Sequence, residues 1–233
     1  MAFGKKSRST LLGVLVIIGV VLFLIPRIHL GKDSLSGRPG DKLISDYDIL
    51  ESLVVGRDYW DIRPDRHPET LTLEGVSFAL PDDYLASRIL QLGNSEACVV
   101  FTGDSFFPGF ARLVLRIYPD IADDIADEAV NEMLEAAVDN LAKMLVKDVE
   151  ESGRELDYAY SIVIEDTDDF PCCYANLSWP GNKEDRFISH TEATLVNGKI
   201  VSGCAVALSD ELLSDLIAIY GQVLSAIQYD NLN

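Results

Sequence analysis

Hydrophobic and polar positions divide this chain into three regimes. The first is LLGVLVIIGVVLFLIP, from Leu11 to Pro26, which carries no charge and stands directly behind the basic tail MAFGKKSRST. A helix needs roughly 20 apolar residues, with a lower limit near 17, to cross a hydrocarbon core about 30 Å thick. The run from Thr10 to Pro26 meets that limit, and it extends to Leu30 if Arg27 and His29 reach toward the headgroups. A core helix of a soluble domain would show a polar stripe at its 3.6-residue period, and none is present. A cleaved leader would end in small residues, whereas RIHLGKDSLSG after Pro26 offers charged and branched ones without an A-x-A pattern. The pattern predicts a basic tail over 1–9 and an uncleaved transmembrane signal anchor over 10–30. Lys5, Lys6, Arg8 and the terminal amine face Arg27, Lys32 and Arg38 across the run. That slight bias places the N-terminus in the cytoplasm and the rest of the chain outside the cell membrane, in a periplasmic or extracellular space.

The second regime, 31–68, alternates breakers with one amphipathic stretch. GKDSLSGRPGDK reads as a juxtamembrane linker. LISDYDILESLVV then puts Leu43, Tyr47, Leu50 and Val54 near one helical face, which predicts a short helix. GRDYWDIRPDRHPE, with Pro64 and Pro68, reads as an irregular connector, so a globular domain is expected over 69–233.

Within that third regime the period switches between two and 3.6. In TLTLEGVSFALP, Leu71 and Leu73 alternate with threonines and Val76, Phe78 and Leu80 alternate on the return, a hairpin about Glu74-Gly75. EACVVFTG and FARLVLRIYP are two further strands, the second closed by Pro119. Acidic residues from Asp120 suit the positive end of a helix, and Val130, Leu134, Val138, Leu141, Leu145 and Val149 then form one apolar stripe ending before Gly153. YAYSIVIE and PCCYANLSW read as strands. RFISHTEATLVNGKIVSGCAVAL is a hairpin, because Asn197-Gly198 is the favoured type I′ turn pair. In the closing SDELLSDLIAIYGQVLSAIQ, Ser209 is an N-cap, and Leu213, Leu216, Tyr220, Val223 and Ile227 form the apolar face. Two amphipathic helices and a sheet of that size predict an α+β domain, an antiparallel sheet covered by helices in an α/β/α sandwich.

The opening GVSFALPDDY (Gly75 to Tyr84), the long middle helix, the Asn197-Gly198 hairpin and the terminal helix ending LSAIQ together resemble the PsbP-like family of α/β/α sandwiches. That family takes its name from a lumenal accessory subunit of the oxygen-evolving photosystem. The likeness runs from Glu69 onward and rests on element order and one strand motif. It implies a non-enzymatic docking or assembly module at a membrane surface, sometimes aided by bound metal. No binding motif matches residue by residue, and the anchor is absent from a processed lumenal subunit, so the resemblance assigns no site residues.

Charge narrows the partners. The chain has 38 acidic and 19 basic residues, a net charge of −19, and every acidic residue follows Gly31. Such a surface repels phosphate backbones, which excludes nucleic acid as a partner, and draws in basic proteins or divalent cations. The 48% of hydrophobic residues excludes a disordered tail.

Candidate chemistry is sparse. Of the four cysteines, Cys172 and Cys173 are adjacent and face opposite sides of a strand. Counting outward from Asn197-Gly198 places Cys204 opposite Thr191. Buried small hydrophobes and one structural disulfide are the two readings; no C-x-x-C spacing supports thiol catalysis. His29, His67 and His190 form no zinc-ligand spacing, and G-x-S-x-G and Gly-rich phosphate loops are absent, so no cofactor is predicted. The loop acids of EDTDDF, Asp166, Asp168 and Asp169, are the candidates for a hard cation or a metal-assisted enzymatic site, although they lack the D-x-[DN]-x-[DN]-G loop. The bland alternative is a solvated loop. For a protein partner, the candidate contacts are Tyr59, Trp60 and Trp179, because aromatic side chains dominate binding energy, against the plainer reading that the tryptophans cover the core. The function expected is a single-pass, membrane-anchored extracytoplasmic domain acting as a docking or accessory module. A metal-assisted enzyme and an acidic cation-binding envelope protein are the alternatives.

Overall fold

The same alternation explains the observed architecture. The computed structural model describes residues 45–56, 70–102, 111–121, 125–166, 171–181 and 185–230. The predicted anchor over 10–30 lies outside them; among the described residues no helix is long and apolar enough to cross a membrane.

In chain order the elements are helix α1 (Asp46–Val55), strands β1 (Thr70–Leu73), β2 (Val76–Ala79), β3 (Tyr84–Ala86), β4 (Leu90–Leu92), β5 (Ser95–Thr102) and β6 (Ala111–Ile117), and helix α2 (Asp127–Glu151). Strands β7 (Val163–Asp166), β8 (Pro171–Pro180), β9 (Arg186–Val196) and β10 (Lys199–Ala207) follow, and helix α3 (Asp210–Asp230) closes the fold. Eight strands form one sheet in the order β3-β5-β6-β10-β9-β8-β7, with β4 also beside β5, and all their pairings are antiparallel. The protein is thus α+β, with three described helices against a large antiparallel sheet.

Central strands are apolar on both faces. In β6, Leu113, Leu115 and Ile117 point to one side and Val114 to the other; β10 does the same with Val201 and Ala205 against Cys204 and Val206. Each face therefore needs a roof. Helix α2 covers one with the stripe read from the sequence: Val130, Leu134, Val138, Leu141, Leu145 and Val149 are all buried. Helix α3 covers the other with Leu216, Ile219, Tyr220, Val223 and Ile227, while Leu213 is half-buried. Ser209 caps α3 as expected, its Oγ accepting from the Leu212 N–H at 3.3 Å.

Two hairpins carry the turns their residues dictate. Asn197 and Gly198 both have positive φ, 47° and 76°, and the register pairs Cys204 with Thr191. Glu74 and Gly75 also have positive φ, 45° and 79°. The β1–β2 hairpin forms its own two-stranded sheet and packs its apolar face into the core under α3. Periodicity identified the hairpin without revealing that its partner is a helix.

Helix α1 belongs to this body. From Ser45 onward the residues form one compact unit, whereas linker composition placed the boundary near Glu69. Ser45 and Asp48 make a reciprocal capping box, and Leu50, Leu53 and Val54 are buried against the α2-side core. Tyr47, expected on the buried face, is 49% exposed, because Leu53 takes the inward position. The last turn of α1 has no basic residue of its own. Arg112 of β6, 4% exposed, supplies the charge from below: its Nε and Nη2 donate to the Val54 carbonyl at 2.9 and 2.6 Å. Lys147 of α2 adds an ion pair to Glu51 at 2.7 Å.

Two glycines test the packing. A Cβ on Gly203 of β10 would lie 2.7 Å from the Tyr220 ring, whereas one on Gly221, inside α3, would meet nothing within 4 Å. Gly203→Ala is expected to destabilise the domain by about 1–3 kcal/mol through overpacking. Gly221→Ala is expected to stabilise it by about 0.5–1 kcal/mol through helix propensity. Urea midpoints of the two variants, moving in opposite directions, are the check.

Candidate docking face

A helix covers only part of an eight-stranded sheet. α3 lies over β6, β10 and β9. From under its edge outward, alternation places Thr194, Glu192 and His190 of β9 and then Cys172, Tyr174 and Asn176 of β8 on the α3 side of the sheet, where they are the polar half of strands whose other half is buried under α2; Thr194 is itself buried beneath α3.

These side chains form two hydrogen-bonded groups joined by a ring contact. His190 Nε2 lies 3.0 Å from Glu192 Oε2, and its Nδ1 lies 2.8 Å from Asn176 Oδ1. A carboxylate only accepts, so Nε2 carries a proton. Asn176 then meets either an imidazolium N–H or, with its amide turned, the bare nitrogen of a neutral ring. Thr194 Oγ1 donates to Glu192 Oε1 at 2.9 Å, and the Tyr220 hydroxyl of α3 sits 3.2 Å from Thr194 Oγ1 and 2.9 Å from the Val201 carbonyl. The Tyr174 ring lies 5.7 Å from that of His190, and its hydroxyl donates to Glu165 of β7 at 2.9 Å. The network runs from a buried tyrosine under α3 to a carboxylate on the outermost strand.

The field over this face is negative. Burial pushes the Cys172 thiol up, and the Glu192 and Glu165 carboxylates push it further. Val163 and Ile164 of β7 are exposed, and Ile164 and Glu165 border a cleft of about 280 Å³ that reaches Val130 in the first turn of α2. Such a surface can take basic side chains along its acidic positions and an apolar contact at its rim.

Of the residues singled out in the sequence as metal or partner contacts, only Trp179 and Asp166 fall among the described ones. Trp179 is a core residue, 5% exposed and stacked on Phe187 at 5.6 Å between ring centroids, and does not present its ring to a partner. Its position in β8 aims it under α2, on the same side as Cys173, Ala175 and Leu177. Tyr59 and Trp60 lie outside the described residues, as do Asp168 and Asp169; Asp166 ends β7, paired with Pro171. Among the described residues no three His, Cys, Asp or Glu side chains converge to hold a metal ion. All four cysteines are free. Cys98 and Cys204 point into opposite cores, and Cys204 instead accepts from Thr191 Oγ1 at 3.4 Å.

In the sequence His190 reads only as one of three histidines without zinc-ligand spacing, and nothing there groups it with Tyr174, Asn176 and Glu192. Tyr174 and Asn176 alternate with apolar residues in CCYAN, but SHTE is polar at all four positions and shows no period, and the residues come together only when β8 and β9 pair.

No protein-family model matches the chain, and no curated protein matches it. Among solved structures, that of cyanobacterial PsbP (CyanoP) from Synechocystis sp. PCC 6803 is similar at 13% identity and a TM-score of 0.36, covering 70% of this chain and 94% of that one.

The thiols give a pH test. Burial pushes Cys98 from 9.0 up to about 12 and Cys173 up to about 11. Tyr84 is pushed from 10.0 up to about 12 by burial, with the Asp215 carboxylate adding to it. Above pH 9 the unfolded chain loses these protons while the folded chain keeps them. Their contribution to stability is whole below pH 9 and is expected to fall steadily toward pH 12, which urea midpoints taken across that range would show. At neutral pH, a thiol reagent is expected to label only the half-buried Cys172 in the folded chain and all four cysteines after unfolding.

Proposed function

We propose that the chain is a single-pass, membrane-anchored extracytoplasmic domain that acts as a non-enzymatic docking or accessory module. The observation that carries this reading is the uncharged run Leu11–Pro26 behind Lys5, Lys6 and Arg8. Dissolved in lipid as a helix, that run satisfies its own backbone; exposed to water it would present a continuous apolar surface.

The tether sets how strongly the domain must bind. A domain held at a membrane meets its partners by lateral diffusion, so modest contacts suffice when effective concentration is high. The open face on β7, β8 and β9, with Glu165 and Glu192 among polar groups held by mutual hydrogen bonds, suits a protein partner presenting basic side chains. Charge complementarity supplies steering and register there rather than raw affinity.

The test places a photo-reactive amino acid at Asn176 on the face, or at the exposed Met133 on α2, in the full chain in its own membrane. A discrete adduct is expected from position 176 alone, lost in Glu165→Lys and in about 0.5 M salt, where exposed charges are screened within a few ångströms. Equal adducts from both positions, or one indifferent to salt and charge reversal, would refute the assignment.

A further inference from the structure

Arg116 of β6 is half-buried in a chain with twice as many acidic as basic residues, yet among the described residues it makes no ion pair, the nearest acid of its cleft, Asp46, standing apart on α1. Other cations of the domain are paired: Lys143 with Asp139, Lys147 with Glu51, Arg186 with Asp157 and Lys199 with Asp120. Arg116 instead donates from Nε to Ser95 Oγ at 2.7 Å, reaches the Leu92 carbonyl from Nη2 at 3.4 Å, and lies over the Tyr118 ring, 4.6 Å from its centroid. Those are neutral partners. They fix the position of the guanidinium without an ion pair, and three of its five N–H donors remain unused by protein atoms among the described residues.

The unmatched guanidinium opens into a cleft of about 180 Å³ between α1, α2 and β6. One wall is apolar, made by Leu50 of α1 and by Leu141 and Met144 of α2. Asn140 supplies an amide on the same helix, and Asp46 stands at the α1 side. The walls are fixed from outside the cleft: the Arg112 hydrogen bonds to Val54 and the Lys147–Glu51 pair lock α1 to the body.

We infer that this cleft is a binding site for a small monocarboxylate with a compact apolar body, with Arg116 taking the carboxylate and Leu50, Leu141 and Met144 taking the body. Three features select that chemistry. A planar guanidinium held at its Nε and lying over an aromatic ring matches a planar carboxylate through its remaining N–H groups. Bringing in the anion supplies the counter-charge that a partly desolvated cation otherwise lacks. A second negative charge on the ligand would meet Asp46 and the acidic domain, which favours a monoanion. The cleft is smaller than the roughly 300–1,000 Å³ of drug-sized sites, which limits the body to about one ring or a short branched chain. The inference is independent of the docking face, which lies on other strands.

The test uses 3-phenylpropionate against its neutral isostere 3-phenylpropanamide, with the full chain in lipid nanodiscs and empty nanodiscs as the partition control. Binding is read as the rise in unfolding temperature. At about 10 mM the acid is expected to raise it, as a ligand about tenfold above its Kd should, and the amide to leave it unchanged. Arg116→Gln is expected to weaken the acid by at least about tenfold, the loss of one charge-assisted contact. Ala137→Met, which adds bulk to the apolar lining without touching Arg116, is expected to abolish the shift and covers the case in which Arg116→Gln does not fold. Equal shifts with acid and amide, an acid shift that survives Arg116→Gln or Ala137→Met, or no shift with the parent chain would each overturn the assignment.

Discussion

A sheet that is apolar on both faces of its central strands cannot stand with either face bare, and the rest of this protein is arranged around that constraint. β5, β6 and β10 bury alternate residues in two separate cores. One is roofed by α2 with α1, the other by α3 with the β1–β2 hairpin. The burial of Leu113, Leu115 and Ile117 against one roof and of Val99, Phe101 and Val114 against the other leaves no freedom of register, since a one-residue slip would exchange the two sets. Arg112 shows the same constraint from its polar side. A guanidinium can lie under a roof because the roof brings the Val54 carbonyl to it.

The roofs also define the surfaces left over. α3 is one helix on a broad sheet, so the strands farthest from its axis turn polar, and Tyr174, Asn176, His190 and Glu192 satisfy one another in the open. On the opposite side α1 and α2 meet over β6 without filling the space above Arg116. Both features arise where a cover stops. One is acidic; the other is concave and sets Arg116 against an apolar wall, with Asp46 at its α1 side.

Much of this was legible in local pattern. The α2 stripe, the Asn197-Gly198 turn, the Ser209 cap and the placement of Cys204 opposite Thr191 depend on residues within one element or one hairpin, where period and turn chemistry decide. The three-residue strands β3 and β4 are too short to show a period. Helix α1 was visible as a helix, but its role was not, because the residues that hold it, Arg112 and Lys147, lie far along the chain. Trp179 carried two readings, an exposed anchor near a loop and a cover for the core, and strand parity turns it under α2, as the second expects. The face and the cleft share one reason for being hidden: each assembles side chains from elements that pair only in the fold, Asn176 with His190 across β8 and β9, and Arg116 with Ser95 across β5 and β6.

Function in this account is set by the free energy of the N-terminal run more than by any side-chain constellation. If Leu11–Pro26 is held in lipid, the acidic domain works at a membrane surface, and in the orientation we propose its face and cleft stand outside the cytoplasm. The direct test is a pair of reporters fused behind Asn233 in the full chain, one active only outside the cytoplasm and one only inside. The account requires the outside reporter to be active and the fusion to stay with membranes through an alkaline wash. An active inside reporter, or a chain released into the soluble fraction with its first thirty residues intact, would contradict it.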